Sequence, residues 1–380
     1  MKPSVQRPKV CFVLPSLAGG GAERSAVQIL NALGEERWER SMYLFAREGP
    51  FLSAVSPAVH LDDGATGRSR VRRWERLRRF IRRGRPDVVV AFLSYMSVLS
   101  ATRMACVPAR VVFIAGTPVS AFLSDTDYRW SRPWDKRLFT RLFRMACKAA
   151  DLIIATSQGV ADDLMHSFGV AANRVRVVPN PLDLETIASA ALRPIEPEHA
   201  ADWKHPVIVA AGRLADVKNY PLLIEAMSML RQRTPASLFI LGQGEQEAAL
   251  RSLIEAKGLS DSVHLCGFHT NPWRYIARAD VFVLTSRYEG FGNVLAEAMA
   301  CGVPVVATGS PGTRAIVSED AGGLLVESHE PSAIAAALER VLGDGTLRAR
   351  LSSAARQHAE QYRTSSVALA YDRILNEALG

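Results

Sequence analysis

The chain has 380 residues, 48% of them hydrophobic and 22% charged, which is the balance of a globular protein with material for two cores. Its five cysteines (Cys11, Cys106, Cys147, Cys266, Cys301) stand far apart with no Cys-x-x-Cys pair, which argues against a disulfide framework or a zinc site and favours a reducing compartment. The formal charge of +8 is unevenly divided: residues 1–180 hold 28 Lys+Arg against 15 Asp+Glu, and the remainder holds 18 against 23, so the first half is expected to face something anionic.

"KVCFVLPSL" reads as a strand running into a turn rather than as a secretory signal, because Pro15 and the following glycines break the apolar run. The apolar stretch from Val88 to Ala101 is too short to span a bilayer. The protein is therefore expected to be soluble or membrane-attached. "ERSAVQILNALG" then reads as a helix ending at Gly34, and "SMYLFA" as a strand. "RVRRWERLRRFIRRG" reads as a helix, "DVVVAFL" and "RVVFIAG" as strands, "KRLFTRLFRMACKAA" as a helix and "DLIIATS" as a strand. Apolar strands separated by helical segments predict a parallel sheet covered on both faces.

A proline-rich linker lies between Pro179 and Pro206, and the alternation then restarts. "PVIVAAG", "SLFILG", "VHLCGF", "DVFVLTS" and "GGLLV" read as strands, with helices between them and filling the end. The expected architecture is α/β: two doubly wound, Rossmann-like domains facing each other across a cleft, divided as residues 1–180 and 181–380, with the last helix packing back on the first domain. Ligands of such sheets bind at the carboxyl ends of the strands, which directs attention to the loops that follow them.

"RYEGFGNVLAEAMACGVPVVAT" holds two acids, Glu289 and Glu297. Asn293 reads as the N-cap of a nearly all-apolar helix in which Glu297 is the one charge. A capping box fails by one residue, since N3 is then Ala296. A buried carboxylate needs hydrogen-bond donors, and sugar hydroxyls would supply them. Gly290 and Gly292 permit close backbone approach, and the helix start suits a phosphate. Spacing alone leaves a second reading open, in which Glu297 meets a basic residue in the core and Glu289 is a solvated loop acid.

"AAGRLADVKNYPLLIEA" places Arg213 and Lys218 in another strand–loop–helix, where fixed cations would stabilise the charge of a departing diphosphate. "PSLAGGGAERSAVQ" is the first strand-to-helix turn. Gly19, Gly20 and Gly21 allow close contact with a ligand, but Arg24 stands where a dinucleotide fingerprint needs glycine, which weakens a nicotinamide-dependent oxidoreductase.

"EGFGNVLAE" with "AMACGVPVVAT", the Arg213/Lys218 segment and "GGGAER" together resemble the retaining glycosyltransferases of family GT4, which have the GT-B fold. The resemblance covers nearly the whole chain and is most specific from Val207 to Val326. It implies a UDP- or GDP-sugar donor, with an N-acetylhexosamine as the favoured sugar. Glu297 would bind the ribose hydroxyls, and Arg213 and Lys218 the diphosphate. Glu289 and the backbone of Phe291, Gly292 and Asn293 would position the sugar. The N–H groups of Val294 and Leu295 would face phosphate, Gly20 and Gly21 would approach the diphosphate from the first domain, and Phe268 would lie near the base. The resemblance implies no metal and no other cofactor, and front-side attack with retention. Gly116 and Thr117 stand where similar enzymes often carry a histidine, so no catalytic residue is assigned there. A fold-retaining scaffold without chemistry is the alternative that this departure motivates.

From Arg68 to Arg85 the chain has ten arginines and one acid, with Val71, Trp74, Leu77 and Ile81 at helical spacing. A second basic and aromatic segment, Tyr128 to Arg144, includes Trp130, Trp134, Phe139 and Phe143. Either segment can be a packed, solvated surface. Together they favour peripheral attachment to an anionic membrane at its cytoplasmic face, which would suit a lipid-linked glycan acceptor. No nucleic-acid-binding motif accompanies the charge.

Overall fold

In the first strand, β1 (Lys9–Leu14), Cys11 and Val13 face one side of a sheet and Val10, Phe12 and Leu14 the other. All five are buried, as the two-residue period of a strand requires when both faces are covered. The computed structural model describes residues 7–18, 20–63, 69–124 and 133–380, with only the backbone of Asp63, Pro133 and Trp134. Gly19, Arg68, Tyr128 and Trp130 lie outside the described residues, as does the Trp134 side chain.

The first sheet continues with β2 (Glu39–Leu44), β3 (His60–Asp63), β4 (Val88–Phe92), β5 (Arg110–Ala115), β6 (Leu152–Ala155) and β7 (Val175–Val177). All pairings are parallel, in the order β3-β2-β1-β4-β5-β6-β7. The second sheet holds β8 (Val207–Ala211), β9 (Ser237–Leu241), β10 (Val263–Leu265), β11 (Val281–Leu284), β12 (Val305–Thr308) and β13 (Gly323–Val326). It is also all parallel, in the order β10-β9-β8-β11-β12-β13. Ile208 and Ala210 enter one of its cores, and Val207, Val209 and Ala211 the other. Each sheet is therefore doubly wound, with a reversal of strand order beside β1 in the first and beside β8 in the second.

The chain divides into two units, residues 1–181 with 364–380 and residues 182–363. The terminal helix Thr364–Leu379 belongs to the first unit. Its Asp372 accepts a 2.7 Å hydrogen bond from Trp38 Nε1 and pairs with Arg37 at 2.8 Å, while Tyr371 and Leu375 enter the core beside Leu30.

Two local expectations are corrected. Helix α1 (Gly21–Ala32) ends before Gly34, with Leu33 as its C-cap. The buried Arg40 explains this, because its Nη1 donates to the carbonyls of Leu30, Asn31 and Leu33 at 2.8–3.1 Å. A guanidinium satisfies the carbonyls that a glycine cap would otherwise serve. In the arginine helix, α2 (Arg70–Gly84), Leu77 and Ile81 are fully buried and Trp74 Nε1 donates to Ser100 Oγ at 2.9 Å. Val71, however, is 67% exposed, so the apolar stripe does not extend to the first turn.

Candidate active site

In the second sheet the reversal of strand order falls between β8 and β11. In doubly wound sheets the carboxyl ends of the strands at such a reversal are where ligands bind. Arg213 and Lys218 lie in the loop after β8, and Glu289 in the loop after β11. Sequence positions 71 residues apart thus meet: Lys218 Nζ lies 2.6 Å from Glu289 Oε1. Ser286 Oγ donates to the same oxygen at 2.7 Å.

The frame around this pair is backbone. Thr285 Oγ1 donates to the carbonyls of Lys218 and Asn219, and Arg287 N to Val217 O, so the two loops are tied together. Gly312 N donates to Glu289 O at 3.1 Å. A Cβ on Gly312 would stand 2.6 Å from Gly290 C and 2.7 Å from Glu289 O, so only glycine permits this approach. Tyr220 closes the floor, its hydroxyl donating to Gly212 O at 3.2 Å. Burial, and after it Glu289, raises the pKa of this phenol and keeps it neutral. The Arg213 side chain is exposed and has no hydrogen bond or ion pair among the described residues.

The glycine-rich turn enters the helix Asn293–Ala300, whose N-cap is Gly292 and not Asn293. Gly292 has φ 84°, a left-handed conformation that suits glycine. The first N–H groups of a helix lack partners within it. Here Leu295 N donates to Gly292 O at 2.9 Å, within the first turn. Val294 N–H remains in the first turn. Phe291 is buried and packs edge-on against Tyr362 with centroids 5.1 Å apart, so its side chain serves the core and only its backbone borders the turn.

Glu297 is 7% exposed, and its Oε2 accepts from Trp273 Nε1 at 2.8 Å. The indole N–H is thus one donor that the protein itself supplies to this buried carboxylate. Trp273 is a residue that the sequence reading passed over; only the need of a buried carboxylate for a donor signals it. Burial, with Glu297 as the next cause and Arg356 opposing, pushes the Cys301 thiol up to about 12. Phe268 follows β10 and is 62% exposed. It shares the carboxyl edge but lies two strands out from β8, roughly 10 Å.

In the first unit, Gly20 is the N-cap of α1 and Gly21 its first residue, directly after β1. A Cβ at Gly20 would meet the Glu23 carboxylate, a flexible group. The neighbouring strand across the reversal, β4, is followed at once by Leu93 and Ser94, at φ 63° and 50°. Two successive non-glycine residues in this conformation are strained, and sequence gave no sign of them. Gly116 and Thr117 lie exposed after β5. Elsewhere, Glu196, His199 and His269 lie close enough to share a cation, which histidine spacing did not reveal. Each has a protein partner: Arg274 sits on Glu196, Tyr275 OH is 2.8 Å from His199 Nδ1, and Cys266 O is 3.0 Å from His269 Nε2.

Comparison with known proteins places this geometry. Residues 193–358 match the family described as glycosyl transferases group 1, and residues 19–186 match glycosyltransferase family 4. A D-inositol 3-phosphate glycosyltransferase of Pseudarthrobacter chlorophenolicus is 30% identical over 313 residues, covering 79% of this chain and 74% of the relative. The N-acetylgalactosamine-N,N'-diacetylbacillosaminyl-diphospho-undecaprenol 4-alpha-N-acetylgalactosaminyltransferase of Campylobacter jejuni is 36% identical over 214 residues, 56% of each chain. The chain thus spans about half the length of several curated relatives it matches. The crystal structure of Anabaena Alr3699/HepE in complex with UDP-glucose has a TM-score of 0.78 at 22% identity, covering 97% of this chain and 99% of that one. A likeness at that identity shows the fold, GT-B.

Proposed function

Because this chain belongs to glycosyltransferase family 4, we propose that it is a retaining glycosyltransferase, moving a sugar from a nucleotide-diphosphate sugar to a lipid-linked glycan. The observation that carries the reading is the Lys218–Glu289 contact at the strand-order reversal, beside the unpaired Arg213 and the start of the helix Asn293–Ala300. A departing diphosphate gains negative charge as the glycosidic bond breaks. Arg213, Lys218 and the helix start meet that charge from fixed positions, which lowers the barrier. No metal is called for in this scheme, since cations and helix start do that electrostatic work.

Glu297, oriented by Trp273, takes the ribose hydroxyls, and Glu289 directs the donor sugar once the diphosphate competes for Lys218. Retention follows from attack on the face the leaving group vacates, with a departing phosphate oxygen taking the acceptor proton. A UDP-N-acetylhexosamine donor and a polyprenyl-diphosphate acceptor are favoured, because the Campylobacter relative's name specifies such a sugar and carrier. A GDP-sugar is the alternative donor.

Peripheral membrane attachment fits the first unit. Leu138, Phe139 and Met145 are exposed on the helix Pro133–Ala149 among exposed Arg137, Arg141 and Arg144, and α2 adds Val71 among its arginines. Among the described residues no helix is long and apolar enough to cross a membrane. Calorimetric titration with UDP-sugars tests the donor reading: Glu297→Ala is expected to weaken binding at least about tenfold, roughly one lost hydrogen-bonded charge. Unchanged affinity in that variant counts against the assignment.

A further inference from the structure

We propose that the first unit carries an additional anion-binding site, for a phosphate-bearing group, at the end of its sheet opposite to Gly20. A cavity of about 430 Å³ opens between α2 and the amino-terminal ends of β1, β2 and β3. Lys9, at one wall, begins β1, and Gly20 lies in the loop beyond the other end of that strand, whose length is about 17 Å. None of the residues assigned to the transferase reading lines this space.

Helical spacing builds the charged wall. Arg76, Arg79 and Arg83 stand three and four positions apart, so they share one face of α2, and all three line the cavity. The side chains of Arg79 and Arg83 are exposed and have no hydrogen bond or ion pair among the described residues. Like charges on one helix face repel, and a multivalent anion between them relieves that cost. Guanidinium groups also match phosphate oxygens in a paired, planar geometry.

The remaining wall is already committed. Lys9 pairs with Glu39 at 3.4 Å, and Arg40 is turned to the end of α1 and to Glu35. Five cations and two acids line the space, so the balance stays positive with Asp62 on the strand side. Phe80 packs on Tyr43 and lies parallel to His60, with centroids 5.2 Å and 6.2 Å apart. These rings give the cavity an apolar side, which suits a phosphate on an organic body: a phospholipid headgroup or a soluble phosphate ester.

The test is calorimetric titration of inorganic pyrophosphate into the full-length protein at low salt, for wild type, Arg79→Ala/Arg83→Ala and Arg213→Ala/Lys218→Ala. The expected result is a binding event that the second variant retains and the first weakens about tenfold or more. UDP affinity in the first variant is expected to stay within about twofold, while unfolding midpoints match because both arginines are exposed. Pyrophosphate binding that survives in Arg79→Ala/Arg83→Ala, or that vanishes wholly in Arg213→Ala/Lys218→Ala, overturns the site. The site and the transferase reading can therefore fail separately. Sedimentation with phosphatidylglycerol vesicles names the source. Vesicle binding that pyrophosphate displaces, and that the first variant loses, supports a lipid headgroup. Vesicle binding equal in wild type and that variant, with the pyrophosphate difference intact, supports a soluble ester.

Discussion

Lys218 Nζ and Glu289 Oε1 stand 2.6 Å apart with their side chains 20% and 15% exposed, each on a loop that leaves a different strand at the reversal of the second sheet. The pair couples the two loops. Removing either partner leaves the other charge in a partly desolvated place, and removing both leaves none. Lys218→Ala, Glu289→Ala and the double variant are therefore expected to be non-additive in urea unfolding, with a coupling of about 0.5–3 kcal/mol. A coupling near zero would show the two loops to be independent.

Gly312 offers a sharper steric test of the same frame. Its missing Cβ would press on the backbone of Glu289 and Gly290, which cannot rotate away. Gly312→Ala is expected to cost about 1–3 kcal/mol and to weaken donor binding by shifting Glu289. Gly343→Ala is the control: nothing lies within 4 Å of the added carbon at the end of a helix. There a gain of about 0.4–1 kcal/mol is expected, from a less flexible unfolded chain. Thermal unfolding of both variants checks the contrast.

The long apolar strands were legible because a sheet covered on both faces forces every position of a strand such as Val88–Phe92 to be apolar. The same rule hid the sheet edges. β3 reads His-Leu-Asp-Asp and β7 reads Val-Arg-Val, each at an edge where burial no longer dictates composition. The helix Tyr95–Met104 escaped notice because an apolar run following a strand has no period that separates the two. Glu289 and Glu297 announced themselves by charge in an apolar setting. Lys218 was legible as a candidate cation, but its contact with Glu289 was not, and Trp273 was not legible at all, since both reach the acids only through strand order and packing. Asn293 is a residue type that favours caps, but the turn needed a left-handed residue one place earlier, and Gly292 fills it.

Acid stability follows from two histidines. Burial lowers the pKa of His264, opposed by Asp202 and assisted by His199, and burial likewise lowers that of His358. A histidine with a depressed folded pKa is neutral in the folded state where the unfolded chain already binds a proton. Stability is then full above the unfolded value of about 6.5 and declines as pH falls below it, down to the folded pKa. Urea unfolding at pH 7.5 and 5.5 is expected to show this loss. His264→Phe, which keeps the stacking on Phe239, is expected to reduce it. An identical loss in that variant would remove His264 from the account.

Leu93 is 48% exposed, so little packing energy holds it at φ 63°. A leucine in this conformation costs on the order of 1–2 kcal/mol relative to a right-handed one. Leu93→Gly removes that cost and gives back part of it in unfolded-state entropy. The variant is expected to be as stable as wild type or up to about 1 kcal/mol more stable, while transfer activity falls because the loop after β4 loses its fixed shape. Stability and activity falling together would mean that the leucine side chain is simply structural.

Trp273 separates orientation from chemistry. Its Nε1 is 2.8 Å from Glu297 Oε2, while Glu297 itself is buried. Trp273→Phe keeps a ring in the core and deletes the donor, leaving a carboxylate oxygen short of one hydrogen bond at a cost of about 1–3 kcal/mol. If Glu297 holds the ribose in ground state and transition state alike, the loss is uniform binding energy. The donor KM then rises by roughly tenfold or more while kcat stays near wild type. A variant that merely loosens the fold would lower kcat and the unfolding midpoint together. Glu297→Gln on the Trp273→Phe background supplies the check, because removing the charge also removes the need for the indole. That double variant is expected to unfold at a higher temperature than Trp273→Phe alone and yet bind donor no better.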